Sequence, residues 1–372
     1  MGRCYSTPSS RQANTCAPLK KWREMKMKKI LAVCLAALMV LSLAACGGSA
    51  APAPTTAPAP AAEAPAAAPE TTAAAEAPAA KTYNIGICQL VQHPALDAAT
   101  QGFKDVLTEK LGDSVTFDEQ NAQGDSATCS VIVTGFVSNQ YDLIMANATP
   151  ALLAAVSATD TIPILGTSVT DFASALAVDA AADGSLGMNV SGTSDGVPAQ
   201  LYADCVMELV PDAKKVSILY CSAEPNSVLQ ADQFIACMDA AGVATEVFTF
   251  ADSNDIQAVT NAAVEGADAL YIPTDNTAAS NMTIISSVCE PAGIPVVCGE
   301  EGMCSGGGLA TVSISYYDIG VACGEMAYEI LVNGADISTM PVGYSANPVK
   351  KYNADYAAAI GFTMPEGYEA IG

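Results

Sequence analysis

Residues 269–280 read ALYIPTDNTAAS, and the pattern changes partway along this stretch. The apolar run at 270–272 is typical of a strand that is covered on both faces. Four polar side chains follow directly at 274–277, and a stretch with a helical pattern comes next. Polar groups at a strand exit indicate either ordinary helix capping and turn chemistry or a binding site. Recurrence of the arrangement along the chain distinguishes the two.

The arrangement does recur, and it does so in a longer unit. Residues 142–168, DLIMANATPALLAAVSATDTIPILGTS, run through an apolar strand, a polar exit, an Ala/Ser-rich helix and an Ile-Pro-Ile strand. Residues 269–301, ALYIPTDNTAASNMTIISSVCEPAGIPVVCGEE, follow the same order. Strands that alternate with helices predict a parallel α/β sheet, and the repetition predicts two such sheets of similar topology.

Polar exits follow six of the predicted strands, three in each half of the chain. Their sequences are QLVQHP, ANATP and GTSVTD in the first half, and CSAEPNS, PTDN and GEE in the second. Ligands of open parallel α/β sheets bind at the carboxyl ends of the strands, beside helix N-termini. We therefore expect an α/β protein of two Rossmann-like lobes that face each other across one cleft.

The chain before this body resembles an export signal followed by a tether. Lysines at 26, 28 and 29 precede an apolar run at 30–43, and LAAC at 43–46 resembles a bacterial lipobox. We therefore assign 1–45 to an upstream leader and lipoprotein signal peptide, with Cys46 as the lipidated residue. Residues 46–81 are rich in Ala, Pro and Thr, and a segment without large apolar residues is expected to be a disordered linker. This pattern predicts an extracytoplasmic protein held at the cell membrane.

Charge and residue usage exclude several classes of function. Eight of the 15 Lys and Arg residues and one of the 39 acidic residues lie at or before Lys29, which leaves a formal charge near −31 and no arginine. So acidic a chain is not expected to bind nucleic acid. Nine cysteines remain in the body, an odd number without a C-x-x-C pair, and most lie in apolar runs that favour core packing over a disulfide framework.

Catalytic and metal motifs are weak. The segment GTSDG at 192–196 matches a nucleophile elbow, but a hydrolase needs a His after the Ser, and the only histidine is His93. No P-loop, dinucleotide fingerprint or EF-hand spacing occurs. The sequence therefore indicates neither an enzyme nor a protein with a cofactor or metal.

The body also resembles a known family. The segments IGICQLVQHPALDAATQGF, DEQNAQGD, ANATPA, TSVTD, SGTSD, EPNS, YIPTDN and GLATVSISYYDIG, taken together in this order, resemble ABC-transporter substrate-binding proteins of the type 1 periplasmic-binding fold, including the tryptophan-binding ones. The resemblance covers about 84–362. It implies two lobes joined by three crossovers, a ligand enclosed between them, and delivery to an ABC permease and its ATPase. With it we expect lobe 1 at 82–190 plus 304–338, and lobe 2 at 191–303 plus 339–372.

An amino-acid ligand would require two kinds of partner in this cleft. Without arginine, hydroxyls and N–H groups at helix N-termini would hold its carboxylate, with Thr149, Ser168 and Thr170 as candidates. A carboxylate would hold its ammonium group. The candidates are Asp195, Glu224, Asp275 and Glu300, of which Asp275, beside Asn276, has the strongest sequence signal. Gln92, His93 and Asn226 lie at further strand exits, and ordinary capping stays the alternative at each position.

These observations together predict a monomeric, lipid-anchored solute-binding component of an ABC importer. The resemblance favours an aromatic amino acid such as tryptophan, tyrosine or phenylalanine as the ligand. A branched-chain amino acid, a nucleoside or a sugar on the same fold stays an alternative, as does a ligand sensor that acts on a signalling partner.

Overall fold

The computed structural model describes residues 81–345 and 347–371. The expected signal peptide, the lipidated Cys46 and the linker before Lys81 lie outside the described residues. Within them, no helix combines the length and the apolar character needed to cross a membrane.

The first half of the body alternates strands and helices. Its elements are β1 (Tyr83–Gln89), α1 (Pro94–Leu111), β2 (Val115–Asn121), α2 (Ser126–Ser138), β3 (Leu143–Asn147), α3 (Thr149–Ala158), β4 (Ile164–Val169), α4 (Phe172–Leu176) and β5 (Val190–Ser194). A 3₁₀ turn at Gly112–Ser114 ends α1. Strands β1, β3 and β4 are almost entirely buried, as expected for strands covered by helices on both faces.

The second half repeats this order. Its elements are α5 (Ala199–Leu209), β6 (Lys215–Cys221), α6 (Pro225–Ala241), β7 (Ala244–Phe250), α7 (Ile256–Val264), β8 (Ala269–Ile272), α8 (Asn276–Ala279), α9 (Met282–Ala292), β9 (Val296–Cys298), α10 (Glu301–Gly307) and β10 (Ala310–Ser313). The remaining chain forms α11 (Tyr316–Leu331), β11 (Gly343–Tyr344), β12 (Val349–Tyr352), α12 (Ala354–Ala359) and β13 (Glu369–Ala370).

The strands form two sheets of matching topology. The order in the first sheet is β11-β5-β4-β3-β1-β2, and in the second it is β13-β12-β10-β9-β8-β6-β7. Each sheet therefore contains the same doubly wound unit, β2-β1-β3-β4-β5 in one and β7-β6-β8-β9-β10 in the other, with parallel pairing throughout. Only β12 pairs antiparallel, with β10. The predicted α/β fold of two Rossmann-like lobes is confirmed. We call the first sheet with its helices lobe 1 and the second lobe 2.

The chain crosses between the sheets three times, at positions that differ from the expected boundaries. Strand β5 pairs with β4, so residues 191–194 belong to lobe 1 and the first crossover follows Ser194. Strands β9 and β10 are both in the second sheet, so lobe 2 continues past 303 to Ser313 and the second crossover leads into α11. The third crossover lies between β11 and β12, later than the expected 338/339 boundary. Residues 191–194 lie in β5 and residues 304–307 lie in α10, so both stretches belong to the lobe that they follow in the chain.

Two glycines allow close approaches that hold lobe 1 together. Gly192 in β5 has φ +147, and a Cβ there would lie 1.9 Å from the carbonyl oxygen of Gly166 in β4. The close pairing of β5 with β4 therefore explains why the GTSDG segment begins with a glycine. Gly320 in α11 faces α1, where a Cβ would lie 2.1 Å from the carbonyl oxygen of Ala99. The return helix therefore packs directly on the backbone of α1.

The cysteines of the described residues are free thiols and belong to the packing of the lobes. Eight of the nine are buried and Cys237 is half-buried. Cys88 and Cys129 lie in a core cluster of lobe 1, whereas Cys289, Cys298 and Cys304 lie in the core of lobe 2. Burial raises the pKa of the Cys289 and Cys323 thiols to about 12, so these groups stay protonated and behave as small apolar side chains.

Candidate functional site

The strand exits of the two lobes meet around one small cavity. Its volume is about 10 Å³, roughly the room of one water molecule. Lobe 1 contributes His93, Leu96 and Ser168, and lobe 2 contributes Asn226, Asp275 and Asn276, with Glu300 and Met303 near the start of α10. Asp195 and Tyr316, from the first and second crossovers, complete the wall. We call this space the cleft cavity. The two lobes are in direct contact around it.

Two hydrogen bonds cross directly between the lobes. His93 Nε2 lies 3.2 Å from Asn276 Oδ1, and the Thr170 hydroxyl lies 3.5 Å from that of Thr274. Both pairs join an exit of the first sheet to the exit of β8 in the second. The polar exit of β8, TDNT at 274–277, therefore contacts the opposite lobe, as the pattern of exits predicts.

The backbone of lobe 1 is strained at two neighbouring strand exits. Ala148, between β3 and α3, has φ +90, and Ser168, near the end of β4, has φ +54. Non-glycine residues with positive φ are uncommon and concentrate at functional sites. The Ser168 hydroxyl is buried without a hydrogen-bond partner. Helix α3, ten residues long, begins at Thr149 directly after Ala148, so its N–H groups face the same region.

Asp275, which has the strongest sequence signal, is fully engaged inside lobe 2. Its Oδ1 accepts from the backbone N–H of Ala278 and caps α8, while its Oδ2 accepts from the Cys221 N–H and the Ser227 hydroxyl, all at 2.7 Å. Burial and the neighbouring Glu224 raise the pKa of this carboxyl to about 8. Asp275 lines the cleft cavity, but its oxygens already have partners within lobe 2.

Glu224 and Glu300 are also used by their own lobe. Glu224 accepts four hydrogen bonds from the backbone and side chains of Asn276 and Thr277, between 2.6 and 3.0 Å. Glu300 caps α10 by accepting from the N–H groups of Gly302 and Met303. Burial raises the pKa of Glu300 to about 7. Both carboxyl groups hold strand exits in place.

Asp195 differs from these three acids. Its Oδ2 accepts from the Tyr316 hydroxyl at 2.8 Å, whereas its Oδ1 is buried without a partner. Burial raises the pKa of this carboxyl above its ordinary value, and the hydrogen bond from the Tyr316 hydroxyl opposes that shift. Of the four predicted carboxylates, Asp195 is thus the one with an oxygen still available to a ligand.

His93 and Asn226 each present one more unpartnered atom. His93, the N-cap residue of α1, is 6% exposed and its Nδ1 has no partner. Burial lowers the pKa of its imidazole to about 4, against smaller opposing effects of Asn276 and Asp97. The Asn226 amide nitrogen donates to the Thr274 carbonyl at 2.8 Å, and its Oδ1 is left without a partner.

The structure brings seven of the eleven predicted site residues to the cleft cavity and places four elsewhere. The seven are His93, Ser168, Asp195, Asn226, Asp275, Asn276 and Glu300. Gln92 is exposed, and Glu224 lies behind Asn276. Thr149 faces a neighbouring cavity of about 270 Å³ that shares Asn226 with the cleft cavity, and Thr170 contacts Thr274 beside it.

Five further wall residues have no sequence prediction of a site role. They are Leu96, Thr274, Ala279, Met303 and Tyr316. Thr274 is part of the polar exit of β8, so the same exit pattern could have identified it. Tyr316 follows β10, which the expected boundary at 303/304 placed in lobe 1, and so its strand exit was not recognised. Glu300 and Tyr316 also border a cavity of about 630 Å³ next to the second and third crossovers. Among the described residues, no three His, Cys, Asp or Glu side chains are grouped to hold a metal ion.

Comparison with known proteins identifies relatives across nearly the whole body. Residues 84–368 match the family model described as ABC transporter substrate binding protein. The tyrosine-binding protein of Clostridioides difficile (strain R20291) is 39% identical over 268 residues, which cover 70% of this chain and 76% of that protein.

Two solved structures extend the comparison to three dimensions. The ABC domain from Streptococcus pneumonia in complex with L-Trp is 33% identical, with a TM-score of 0.74 over 78% of this chain and 100% of that one. The ligand-free, open structure of a substrate-binding protein with adhesive properties from Clostridium difficile is 37% identical, with a TM-score of 0.60 over 78% and 99%. The chain thus superposes better on the complex, despite the lower identity, which agrees with its closed cleft.

Proposed function

Because this chain belongs to the family of ABC transporter substrate-binding proteins, we propose that it is the extracytoplasmic solute-binding component of an importer and captures an aromatic amino acid between its lobes. The family is one of binding proteins and not of enzymes. The observation that carries the proposal is the cleft cavity, whose walls hold four buried polar atoms without partners. The ligands named for the two relatives, tyrosine and L-Trp, favour the aromatic class.

Capture requires the lobes to open and close. A cavity of about 10 Å³ is too small for a whole amino acid, so a ligand would enter an open form, and in the closed form this cavity would hold one group of it. A ligand that contacts both lobes stabilises the closed form by its difference in affinity between the two forms. Closure also removes the ligand from water, which strengthens its polar contacts. The permease would then recognise the closed, loaded protein.

The two charged groups of an amino acid find different partners in this cleft. The body has no arginine, so the carboxylate would lie near the N-terminus of α3, where free N–H groups and the helix dipole favour an anion. The unpartnered Ser168 hydroxyl supports that assignment. The ammonium group would lie against Asp195, whose Oδ1 is the unpartnered carboxylate oxygen of the wall.

The proposed import role also includes the segment outside the described residues. Lipidation of Cys46 and the linker that follows it would keep the binding protein near its permease and ATPase, and the protein would act as a monomer. Replacing Cys46 with alanine should move the protein from the membrane fraction to the medium, and retention at the membrane would contradict the anchor.

A thermal-unfolding panel tests the ligand class. The purified protein is heated with each amino acid, with nucleosides and with common sugars, and a ligand that binds only the folded state raises the midpoint. At a hundredfold excess over Kd the gain is about 2.7 kcal/mol. We expect tryptophan, tyrosine or phenylalanine to raise the midpoint most. A sugar or nucleoside as the sole stabiliser would contradict the proposed ligand while leaving the family assignment intact.

A further inference from the structure

The unpartnered atoms of the cleft cavity define the chemistry of the group that they bind. They are His93 Nδ1, Ser168 Oγ, Asp195 Oδ1 and Asn226 Oδ1, and all four residues line the same cavity. Leaving a buried polar atom without a partner is unfavourable, so four around one small space indicate that a bound ligand supplies their partners. Ser168 is assigned above to the carboxylate of the ligand, which leaves three atoms for a second group. Whether that group must donate or accept depends on the orientation of each side chain.

The orientation of Asn226 follows from its neighbour in lobe 2. Its other amide atom lies 2.8 Å from the carbonyl oxygen of Thr274, which can only accept a hydrogen bond. The atom facing that carbonyl is therefore the amide nitrogen, and the atom left without a partner is the oxygen. Asn226 offers an acceptor.

The orientation of Asn276 is determined in the same way by Glu224. The Asn276 amide nitrogen lies 2.6 Å from Glu224 Oε2, and this carboxylate also accepts the backbone N–H of Asn276. The Asn276 oxygen consequently faces His93 Nε2 at 3.2 Å, from the opposite lobe. Because that oxygen only accepts, His93 must carry its proton on Nε2.

A neutral His93 in this tautomer has a bare Nδ1, which is a second acceptor. Burial keeps the ring neutral at neutral pH by lowering the pKa of the imidazole to about 4. The acidic groups that face the ring are Asp97 on its own helix and Asp195, Asp275 and Glu300 around the cavity. The third acceptor is Asp195 Oδ1, since Tyr316 already donates to Oδ2.

We propose that His93 Nδ1, Asp195 Oδ1 and Asn226 Oδ1 form a three-acceptor receptor for a primary ammonium group, and that Glu224 and Asn276 set the tautomer of His93 from the opposite lobe. The inference rests on the proposed function and defines its substrate class further. A primary ammonium group carries three N–H donors, one for each acceptor, and the cavity has room for one small group. Closure completes the receptor, because Asn276 reaches His93 only when the lobes meet.

The tautomer is directly measurable, because His93 is the only histidine in the 372-residue chain. Imidazole ¹⁵N NMR on the protein, prepared without a histidine tag, reports this one ring. We expect a neutral ring protonated on Nε2 at pH 7, in the protein saturated with L-tyrosine or L-tryptophan. Protonation on Nδ1, or a charged imidazolium ring at this pH, would overturn the receptor.

Ligand analogues test the three acceptors independently of the spectrum. L-tyrosine should bind at least tenfold more tightly than its N-acetyl derivative and than 3-(4-hydroxyphenyl)propionate, which lacks the ammonium group. His93→Gln keeps a donor for Asn276 and loses the Nδ1 acceptor, so it should lower the affinity for L-tyrosine about tenfold to a hundredfold. The same variant should weaken the binding of the deaminated analogue by a clearly smaller factor, because that compound has no ammonium group that could lose a contact. Gln101→Ala, on the exposed face of the same helix, is the matched control and should change neither.

The outcomes separate this inference from the proposed function. Equal binding of L-tyrosine and its deaminated analogue would overturn the receptor while the amino-acid-binding function stood. If no amino acid binds at all, the proposed function fails, and the receptor, which rests on that function, fails with it.

Discussion

Four acids at strand exits look alike in the sequence but have different surroundings in the folded protein. Asp275 and Glu300 cap the first turns of α8 and α10, and Glu224 binds the start of α8. Asp195 caps no helix and keeps one buried oxygen without a partner. A carboxylate in that position lowers the stability of the protein without ligand and is available to bind one. Residues used for binding are often those that the fold alone leaves unsatisfied.

Asp195→Asn should separate ligand binding from stability. Burial raises the pKa of Asp195, so its ionisation opposes folding above the ordinary carboxyl pKa of about 3.9, and asparagine removes that cost. We expect an unchanged or higher unfolding midpoint at pH 7 without ligand, together with at least a roughly hundredfold loss of affinity for the amino acid. Calorimetric titration and thermal unfolding measure the two quantities.

The control for this substitution is Asp204→Asn on the exposed side of α5, which should alter neither affinity nor stability. A variant at Asp195 that binds as tightly as the unmodified protein would exclude its role in the site.

At the scale of elements, the site depends on how closely helices approach each other beside the strand exits. Helix α1 carries His93 at its start, and α11 begins at Tyr316 on the cavity wall. The two helices pack through Gly320, at the backbone of Ala99. Packing at this crossing therefore positions two walls of the cleft cavity at once.

Gly320→Ala should disturb that crossing. The new Cβ would lie 2.1 Å from a backbone oxygen, which cannot move as a flexible side chain does, so α11 must shift away from α1. We expect a loss of about 3 kcal/mol in the free energy of unfolding, at the upper end for overpacking, and weaker ligand binding. Urea unfolding followed by circular dichroism measures the first effect.

Gly135→Ala in α2 is the matched substitution, because nothing lies within 4 Å of a Cβ at that position. Alanine should stabilise that helix by about 0.5–1 kcal/mol. Equal effects of the two substitutions would show that the helix crossing is not tightly packed.

For the whole molecule, the equilibrium between the open and closed forms should depend on pH. His93 lies between the lobes, where it contacts Asn276 of lobe 2, and its pKa is about 4 in the closed form against an ordinary value of 6.5. Between these values the open form binds a proton at His93 more readily than the closed form does. Acidification through this range therefore favours opening.

The affinity for an amino acid should consequently fall as the pH decreases from 7 to 5. The difference between the two pKa values corresponds to about a twentyfold loss from His93 over this range. Asp195 adds to the loss, since its protonation removes the charge that would hold the ammonium group. The His93→Gln variant should bind the amino acid more weakly than the unmodified protein at pH 7, and its affinity should not show the twentyfold loss that comes from His93. Titrations of both proteins with the amino acid at several pH values measure the two effects. Parallel pH profiles for the two proteins would contradict the coupling.

Much of this architecture follows from the sequence because it depends on local patterns. Buried strands such as β3 and β8 appear as apolar runs, the polar exits follow them, and the repeat at 142–168 and 269–301 predicts two sheets of equal topology. The crossovers were placed less well. Strand β5 has the glycine and serine content of a turn, and only its pairing with β4 shows that it extends the first sheet.

The site, like the fold, could be predicted from the sequence only in part. The gathering of polar groups at the carboxyl ends of the strands can be predicted from local patterns, since it follows from the period of each strand and the start of each helix. Which of these groups are available to a ligand depends on long-range contacts in the folded protein. Asp275 is occupied by groups up to 54 positions away, Tyr316 reaches Asp195 across 121 positions, and His93 meets Asn276 across 183. Hydrogen-bond partners at such distances along the chain are set by the packing of the two lobes, and no local pattern encodes them.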